Sequence, residues 1–500
     1  MVFLGIDLGT TGLKAVLASE TGKFLGTGYR QYPLDVPRPG YAEQSPEAWY
    51  EAMCLAIQDV LAKTGIAPDE IRSIGFSGQM HGLIALDAEG NVLCPAIIHC
   101  DGRAFEEKKQ LSKLVTMEQF GLWTQNRPNS GFQILSLLWL RNNRPEIYGK
   151  IRHILLPKDY LRFRLTGNYN TEVTDACGSL MFDGSHTRWS EELLNIARIS
   201  REILPDAAHQ PYDVDGTVTA KAARETGLKV GTLVAFGGGD TPLQAIANGI
   251  FREGEASISV GTSAQLFVAL DQPKYDPQLR THTFCHAPKD RWYIMGAILN
   301  ACLAQNWYDR NVLQDRDYVA LGQKAAESPA GSKGLLFLPY LTGERTPHMN
   351  EQASGAFLGL TLAHDRYDMQ RAVLEGVAFA LRDCLEIINS LDIRIDRLLI
   401  SGGGGKSALW RQIIADILEM PLRQTDFDEQ AAMGAIICAQ LAVGAYPSFE
   451  EACKAQVRES GVITEPVPKN FAIYRECYEI YREAYSTNKA LFLRLRETQK

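Results

Sequence analysis

The feature that most constrains this chain is a repeated pair of short segments. "IDLGTTG" at 6–12 is matched residue type for residue type by "ISVGTSA" at 258–264, and "IGFSGQ" at 74–79 by "LISGGG" at 399–404, in the same order. Each is an apolar strand end that empties into a turn of glycine and small hydroxyl residues. Two ordered copies predict a duplicated architecture, with two related domains meeting near 247–256. A chain of 500 residues has room for both, each with its own core.

The spacing around the first copy predicts three strands in "FLGID", "LKAVLAS" and "KFLGTGYRQYP". A helix is expected over "SPEAWYEAMCLAIQDVLAKTG" with Ser45 as its N-cap, and then a strand in "IRSIGFSGQ". Hairpin strands alternating with helices point to the α/β class, with a mixed sheet covered by helices. In the C-terminal "FAIYRECYEIYREAYSTNKALFLRL", Tyr474, Tyr478, Tyr481 and Tyr485 recur at helical spacing and predict a packing helix.

Composition narrows the class of partner. A formal charge of −8 and a pI near 5.7 argue against a nucleic-acid surface. The longest apolar stretch, 431–445, is too short for a membrane span and contains Gln440. The N-terminus enters a strand without a signal-peptide pattern. Ten cysteines with no C-x-x-C pair read as reduced thiols, which disfavours a structural zinc site and suggests a cytoplasmic protein.

The turns carry the chemistry. After the first strand, Gly9 lets backbone amides converge on an anion, Thr10 and Thr11 add hydroxyl donors, and Lys14 adds charge. A carboxylate beside phosphates makes sense if it holds a hydrated magnesium ion, so Asp7 reads as a metal-side residue; a structural hairpin with a capping aspartate fits the same residues. Gly261, Thr262 and Ser263 form the matching second loop. The third turn, "SGGGGKSALWRQIIADIL", is no P-loop, because Ile400 stands where its first glycine is required. Gly403 and Gly404 would let the chain lie against a base or ribose. "VAFGGGDTP" ends a strand in Asp240, placed to accept a proton from an alcohol or, alternatively, to cap the helix that follows. "SGQMHG" presents Met80 and His81 as candidate substrate contacts.

Taken together, "GIDLGTTGLK", "GQMHG", "DGR" at 101–103, "LLPKDYLRFRLTG", "GGGD", "SVGTSA", "FLPYLTGERTPHMN" and "GGGGKSALWRQIIADI" resemble the FGGY carbohydrate kinases of the actin-like ATPase superfamily, and within that family the bacterial xylulokinases. The resemblance runs over about residues 2–445. It implies two actin-like (ribonuclease H-like) domains, 1–247 on the sugar side and 248–500 on the nucleotide side with a helical tail, flanking a deep cleft. ATP and Mg²⁺ are the implied cofactors, a small sugar the partner, and a homodimer is compatible with the family. By motif, Asp240 matches the catalytic base and a second metal-side carboxylate, while Met80 and His81 match the sugar contacts, with Thr241, Asp101 and Arg103 beside them. Gly9, Thr10, Thr11, Lys14, Gly261, Thr262, Trp307, Gly403, Gly404 and Ser407 fall in the nucleotide motifs.

The expected reaction is transfer of the γ-phosphoryl group to the terminal hydroxyl of a ketopentose, D-xylulose by resemblance; another ketose, ribulose or a sugar acid is the alternative. A non-catalytic actin-fold ATPase is disfavoured by "GGGD" and "GQMHG". Three departures from the xylulokinase pattern bear on the substrate. His99-Cys100 precede Asp101 where Trp-Asn is usual, Thr241 replaces Asn, and Leu135-Ser136 replace Pro-Lys.

Overall fold

The computed structural model describes residues 1–425 and 429–498. Two large mixed sheets organise it. The first is built from β1 (Val2–Leu8), β2 (Gly12–Ser19), β3 (Phe24–Gln31), β4 (Ile71–Gly78), β5 (Val214–Thr217) and β6 (Leu233–Ala235), in the order β5-β6-β4-β1-β2-β3, with Gly238–Gly239 as a further short partner of β4. The second comprises β7 (Glu255–Val260), β8 (Ala264–Leu270), β9 (His282–Cys285), β10 (Trp292–Ile298), β11 (Arg397–Ser401), β12 (Leu422–Thr425) and β13 (Glu459–Thr464), in the order β9-β10-β8-β7-β11-β12-β13.

Six strands of one sheet correspond to six of the other. β1 pairs antiparallel with β2 and parallel with β4, as β7 pairs with β8 and β11. Beyond them, β2–β3 matches β8–β10, β4–β6 matches β11–β12, and β6–β5 matches β12–β13, each in the same sense. The echo in the sequence therefore marks the equivalent central hairpin and parallel strand of two like sheets.

Helices cover the sheets: α1 (Pro46–Thr64), α2 (Pro157–Thr166), α3 (Val173–Gly178), α4 (Asp240–Ala247), α5 (Arg366–Asn389), α6 (Ala408–Leu418), α7 (Gln430–Ala442) and α8 (Phe471–Glu497). The Ser45 side chain caps α1 by accepting from the Ala48 amide at 3.3 Å, and Gly65 ends it in the left-handed region. On α8 all four tyrosines are buried. The Tyr478 hydroxyl donates to Asp383 Oδ1 at 2.7 Å, and those of Tyr481 and Tyr340 are 2.6 Å apart.

A cut at 247/248 places one large sheet in each part, but the parts interlock. α7 lies between β12 and β13 of the second sheet in sequence yet packs on β1, β4 and α4, which belong to the first part. Glycines permit that approach: a Cβ on Gly75 of β4 would lie 1.9 Å from the Ala435 carbonyl oxygen, and one on Gly434 of α7 would lie 2.1 Å from that of Leu243. The two sheets are thus tied together by a helix seated directly on backbone.

Candidate active site

The sites lie where β1, β4, β7 and β11 end. Gly238 and Gly239 pair with Ser77 and Gly78 of β4, while Asp7 of β1 stands opposite Ser77. Asp240 begins α4 immediately after Gly239, so Gly239 is the cap residue and Asp240 is not. Burial, and after it the negative charge of Asp7, pushes the Asp240 carboxyl up to about 6. Its Oδ1 accepts from the Thr241 amide at 2.7 Å and the Thr241 hydroxyl at 3.2 Å. Thr241 therefore spends its proton on Asp240.

A chamber of about 150 Å³ opens beside Asp240, lined in part by Met80, His81, His99, Phe132 and Thr241. His81, held at φ 74°, donates from Nδ1 to the Gly178 carbonyl at 2.7 Å and packs edge-on to Phe132. Burial drives its imidazole down to about 3, so Nε2 remains a neutral acceptor. His99 and His282 are likewise driven down, to about 4 and about 3, by burial and the nearby Arg345 charge. Gln265, His282, Tyr293 and Arg345 also line the chamber, and none of them was singled out from the sequence. They come from β8–β10 and the 341–350 loop, and His282 and Tyr293 lie inside strands that no glycine turn marks. The buried Tyr293 hydroxyl has no partner among the described residues.

Behind Asp240 lies a buried ionic cluster. The Gly239 amide donates to Thr174 Oγ1 at 3.0 Å, and that hydroxyl donates to Glu172 Oε1 at 2.8 Å. Lys158 Nζ lies 3.3 Å from Glu172, 2.7 Å from Asp159 and 3.1 Å from Asp175, all fully buried. Arg162 adds contacts of 3.0 Å to Asp159 and 2.6 Å to Asp215. Two cations face four carboxylates, and burial first of all holds Asp175 well above the ordinary aspartate range, against the opposing pull of Lys158.

A second cavity, about 340 Å³, is lined by residues that include Asp7, Lys14, Ser259, Ser401, Gly403 and Lys406. It lies between the strand ends of both sheets, a location suited to a phosphate-bearing ligand. The Gly9 amide closes its own turn onto the Gly12 carbonyl, and the Gly261 amide onto that of Ser263, so neither glycine N–H is free for an anion. Thr11 and Thr262 are exposed on the two loops; the Thr10 carbonyl accepts from Gln44 Nε2 at 2.7 Å, and the Gly9 carbonyl from the Tyr32 hydroxyl. Lys14 Nζ is 2.6 Å from Glu429 Oε2 across this cavity. Burial raises the Asp7 carboxyl, against the opposing influence of Ser77 and Lys14.

Several expected contacts take other roles. The Arg103 side chain is 2% exposed and its guanidinium is spent on Asp101, at 2.7 Å, and Glu43, at 2.7 Å, beneath Tyr41 and Trp139. Asp101 also accepts from the Ala42 amide at 2.6 Å, so this pair clamps a loop. Ser407 caps α6 by accepting from the Trp410 amide at 3.3 Å. Gly404 is needed for packing, since a Cβ there would lie 2.4 Å from Val260 Cγ1. Trp307 is half-exposed beside Phe337 and does not line the second cavity. Leu135 and Ser136 are buried in helix Gln133–Asn143 and line neither cavity, so that departure concerns packing.

The comparisons with known proteins agree with this geometry. The FGGY family of carbohydrate kinases, N-terminal domain, matches residues 2–247, and the family's C-terminal domain matches residues 256–443. The xylulose kinase of Bacillus subtilis (strain 168) is 33% identical over 501 residues, covering 99% of each chain. Among solved structures, ligand-bound xylulose kinase from Lactobacillus acidophilus superimposes with a TM-score of 0.94 at 29% identity, and gluconate kinase from the same organism with 0.93 at 30%, each alignment covering 99% of both chains. Two ordered domain matches over most of the chain, on a duplicated sheet with a carboxylate at the helix start beside the cleft, identify this chain as a sugar kinase belonging to the FGGY family of carbohydrate kinases.

Proposed function

We propose that the enzyme phosphorylates D-xylulose on its terminal hydroxyl, giving D-xylulose 5-phosphate, with ATP as donor. The observation that carries this reading is Asp240: a buried carboxylate at the start of α4, pushed up to about 6, in a chamber that also contains Met80 and His81. Asp240 takes the acceptor proton, Met80, His81 and Thr241 place the sugar, and the neutral His81 Nε2 accepts a sugar hydroxyl. Thr10, Thr11, Thr262 and Lys14, together with the backbone around Gly9 and Gly261, bind the phosphates, and Gly403 borders the nucleoside. Trp307, which does not line this cavity, is left out of these contacts.

Asp7 and Asp240 fit a magnesium site. Both are carboxylates raised by burial, and Asp7 acts on Asp240 through its charge. Among the described residues no cluster of three or more ligating side chains exists, which suits an ion held by one or two carboxylates, water and phosphate oxygens. Mg²⁺ there would neutralise charge developing on the transferring group.

All ten cysteines are free and seven are buried, which supports a cytoplasmic setting. Assembly as a homodimer belongs to the same reading; the exposed Ile473 and Ile480 of α8 offer it an apolar face, and sedimentation tests it. The catalytic reading is tested by ADP release with Mg-ATP across D-xylulose, D-ribulose, L-ribulose, L-xylulose and glycerol. D-xylulose is expected to have the highest kcat/KM, and Asp240→Asn to abolish its turnover. A different best sugar would move the substrate name to that sugar; no sugar-stimulated turnover would sink the kinase reading of this site.

A further inference from the structure

A row of side-chain amides runs from the first glycine turn to the chamber beside Asp240, and its polarity is fixed at one end. The Thr10 carbonyl can only accept, so Gln44 turns its Nε2 there, at 2.7 Å, with the Pro33 carbonyl at 3.4 Å. Gln44 Oε1 then faces the other way. It accepts from Trp49 Nε1, a group that can only donate, at 3.2 Å, and from Gln79 Nε2 at 3.0 Å. That leaves Gln79 Oε1 to accept from His99 Nδ1 at 3.3 Å. Gln44 and Gln79 are both buried, so bulk water does not compete for either amide.

Each link decides the next, and the last one decides the tautomer of His99. Its proton sits on Nδ1. Burial, and after it the Arg345 charge, drives the ring down to about 4, and a neutral imidazole protonated at Nδ1 keeps a lone pair on Nε2. The backbone is held too: a Cβ on Gly131 would lie 1.8 Å from the His99 carbonyl oxygen, so two chain segments lie against each other there. The half-buried ring stands on the wall shared by the chamber beside Asp240 and an outer chamber of about 230 Å³. Asp240 lines the inner chamber alone, so a chain-like ligand with one end on Asp240 presents its other end to the shared wall.

We propose that His99 is a specificity-determining contact whose Nε2 accepts a hydrogen bond from the C1 hydroxyl of the ketose, and that Gln79 and Gln44 are positioning residues that keep this nitrogen an acceptor. This rests on the reading of Asp240 as the base for the C5 hydroxyl, which directs C1 toward His99. The polarity matters because Arg345, on the same shared wall, can only donate. A hydroxyl that gives its proton to Nε2 keeps its oxygen for that guanidinium. With the ring reversed, two donors would compete for one oxygen and the hydroxyl proton would have no acceptor between them.

D-xylulose and 1-deoxy-D-xylulose test this, since they differ only in the C1 hydroxyl. The unmodified enzyme should show a kcat/KM about tenfold higher for D-xylulose by ADP release with Mg-ATP. The ratio is read within each variant, so a misfolded fraction cancels. His99→Phe should bring it to about one, and His99→Gln, which retains a side-chain acceptor, should keep most of it. Gln79→Met should lower the ratio several-fold with the ring still present. A ratio near one in the unmodified enzyme, or one untouched by His99→Phe, would overturn the contact. Gln79→Met lowering both sugars equally would overturn the positioning role. Titration calorimetry with the two ketoses separates this from the kinase reading. Tighter binding of D-xylulose without turnover of either sugar defeats Asp240 as the base and leaves the His99 contact standing, while turnover of both with equal kcat/KM does the reverse.

Discussion

The Thr174 hydroxyl accepts the Gly239 amide proton at 3.0 Å, one residue before Asp240. Through its own donation to Glu172 it links the start of α4 to the Lys158 cluster. Thr174 is therefore a positioning residue for the base. Thr174→Val leaves a buried N–H unmatched and should cost about 1–3 kcal/mol of stability. It should also lower kcat by about tenfold with little change in KM, whereas Thr174→Ser should retain both; sugar-kinase kinetics and chemical denaturation read the two effects.

The acid limb of the kcat/KM profile should fall near pH 6, because Asp240 must be ionised to accept a proton and its carboxyl is pushed up to about 6. Below that pH the rate should drop by about tenfold per unit. Burial is the main cause and the Asp7 charge the second, so Asp7→Asn should move the limb to lower pH. Asp240→Asn should lower kcat by about 10²–10⁴-fold and remove the limb altogether.

Lys158→Met should be among the most damaging single changes outside the cavities. It strips the shared cation from Asp159, Glu172 and Asp175 in a fully buried setting. Breaking such a network by removing one partner costs about 3–5 kcal/mol. Thermal unfolding of the variant measures it, and a loss below about 1 kcal/mol would contradict the cluster as drawn.

Glu344 gives stability a pH dependence of defined sign. Its carboxyl is held at about 8 in the folded chain against an ordinary 4.5, so the unfolded state loses this proton first as pH rises. The contribution is fully present below about pH 4.5 and is lost as pH climbs to 8. Glu344→Gln cannot ionise; its melting temperature should gain on that of the unmodified protein steadily between pH 5 and 8.

Gly75→Ala should loosen the junction of the two sheets. The added methyl would sit 1.9 Å from the Ala435 carbonyl oxygen, against backbone that cannot swing aside. A loss of about 1–3 kcal/mol or more is expected from such overpacking. Since α7 borders the second cavity, ATP affinity should weaken with it, which nucleotide titration would show.

The strands, the capped helix at 46–64, the duplication and the position of Asp240 were all legible in the linear chain. They depend on local rules: apolar strands running into glycine turns, a serine ahead of a helical period, and two copies of one pattern. The buried tyrosines of α8 were legible for the same reason. Other roles needed the folded molecule. Arg103 and Ser407 carry family motifs, yet their hydrogen bonds go to Glu43 and Asp101 and to the Trp410 amide, partners set by packing. Tyr293, His282 and Arg345 reach Asp240 only because β8, β9, β10 and the 341–350 loop fold over from the second half of the chain. The raised carboxyl of Asp240 and the lowered guanidinium groups of Arg127 and Arg345 arise from burial, which is a property of the assembled interior. Sequence by itself determined which turns could do chemistry; the tertiary structure decided which side chains face one another across them, because desolvation and hydrogen-bond partnership exist only once distant segments have packed.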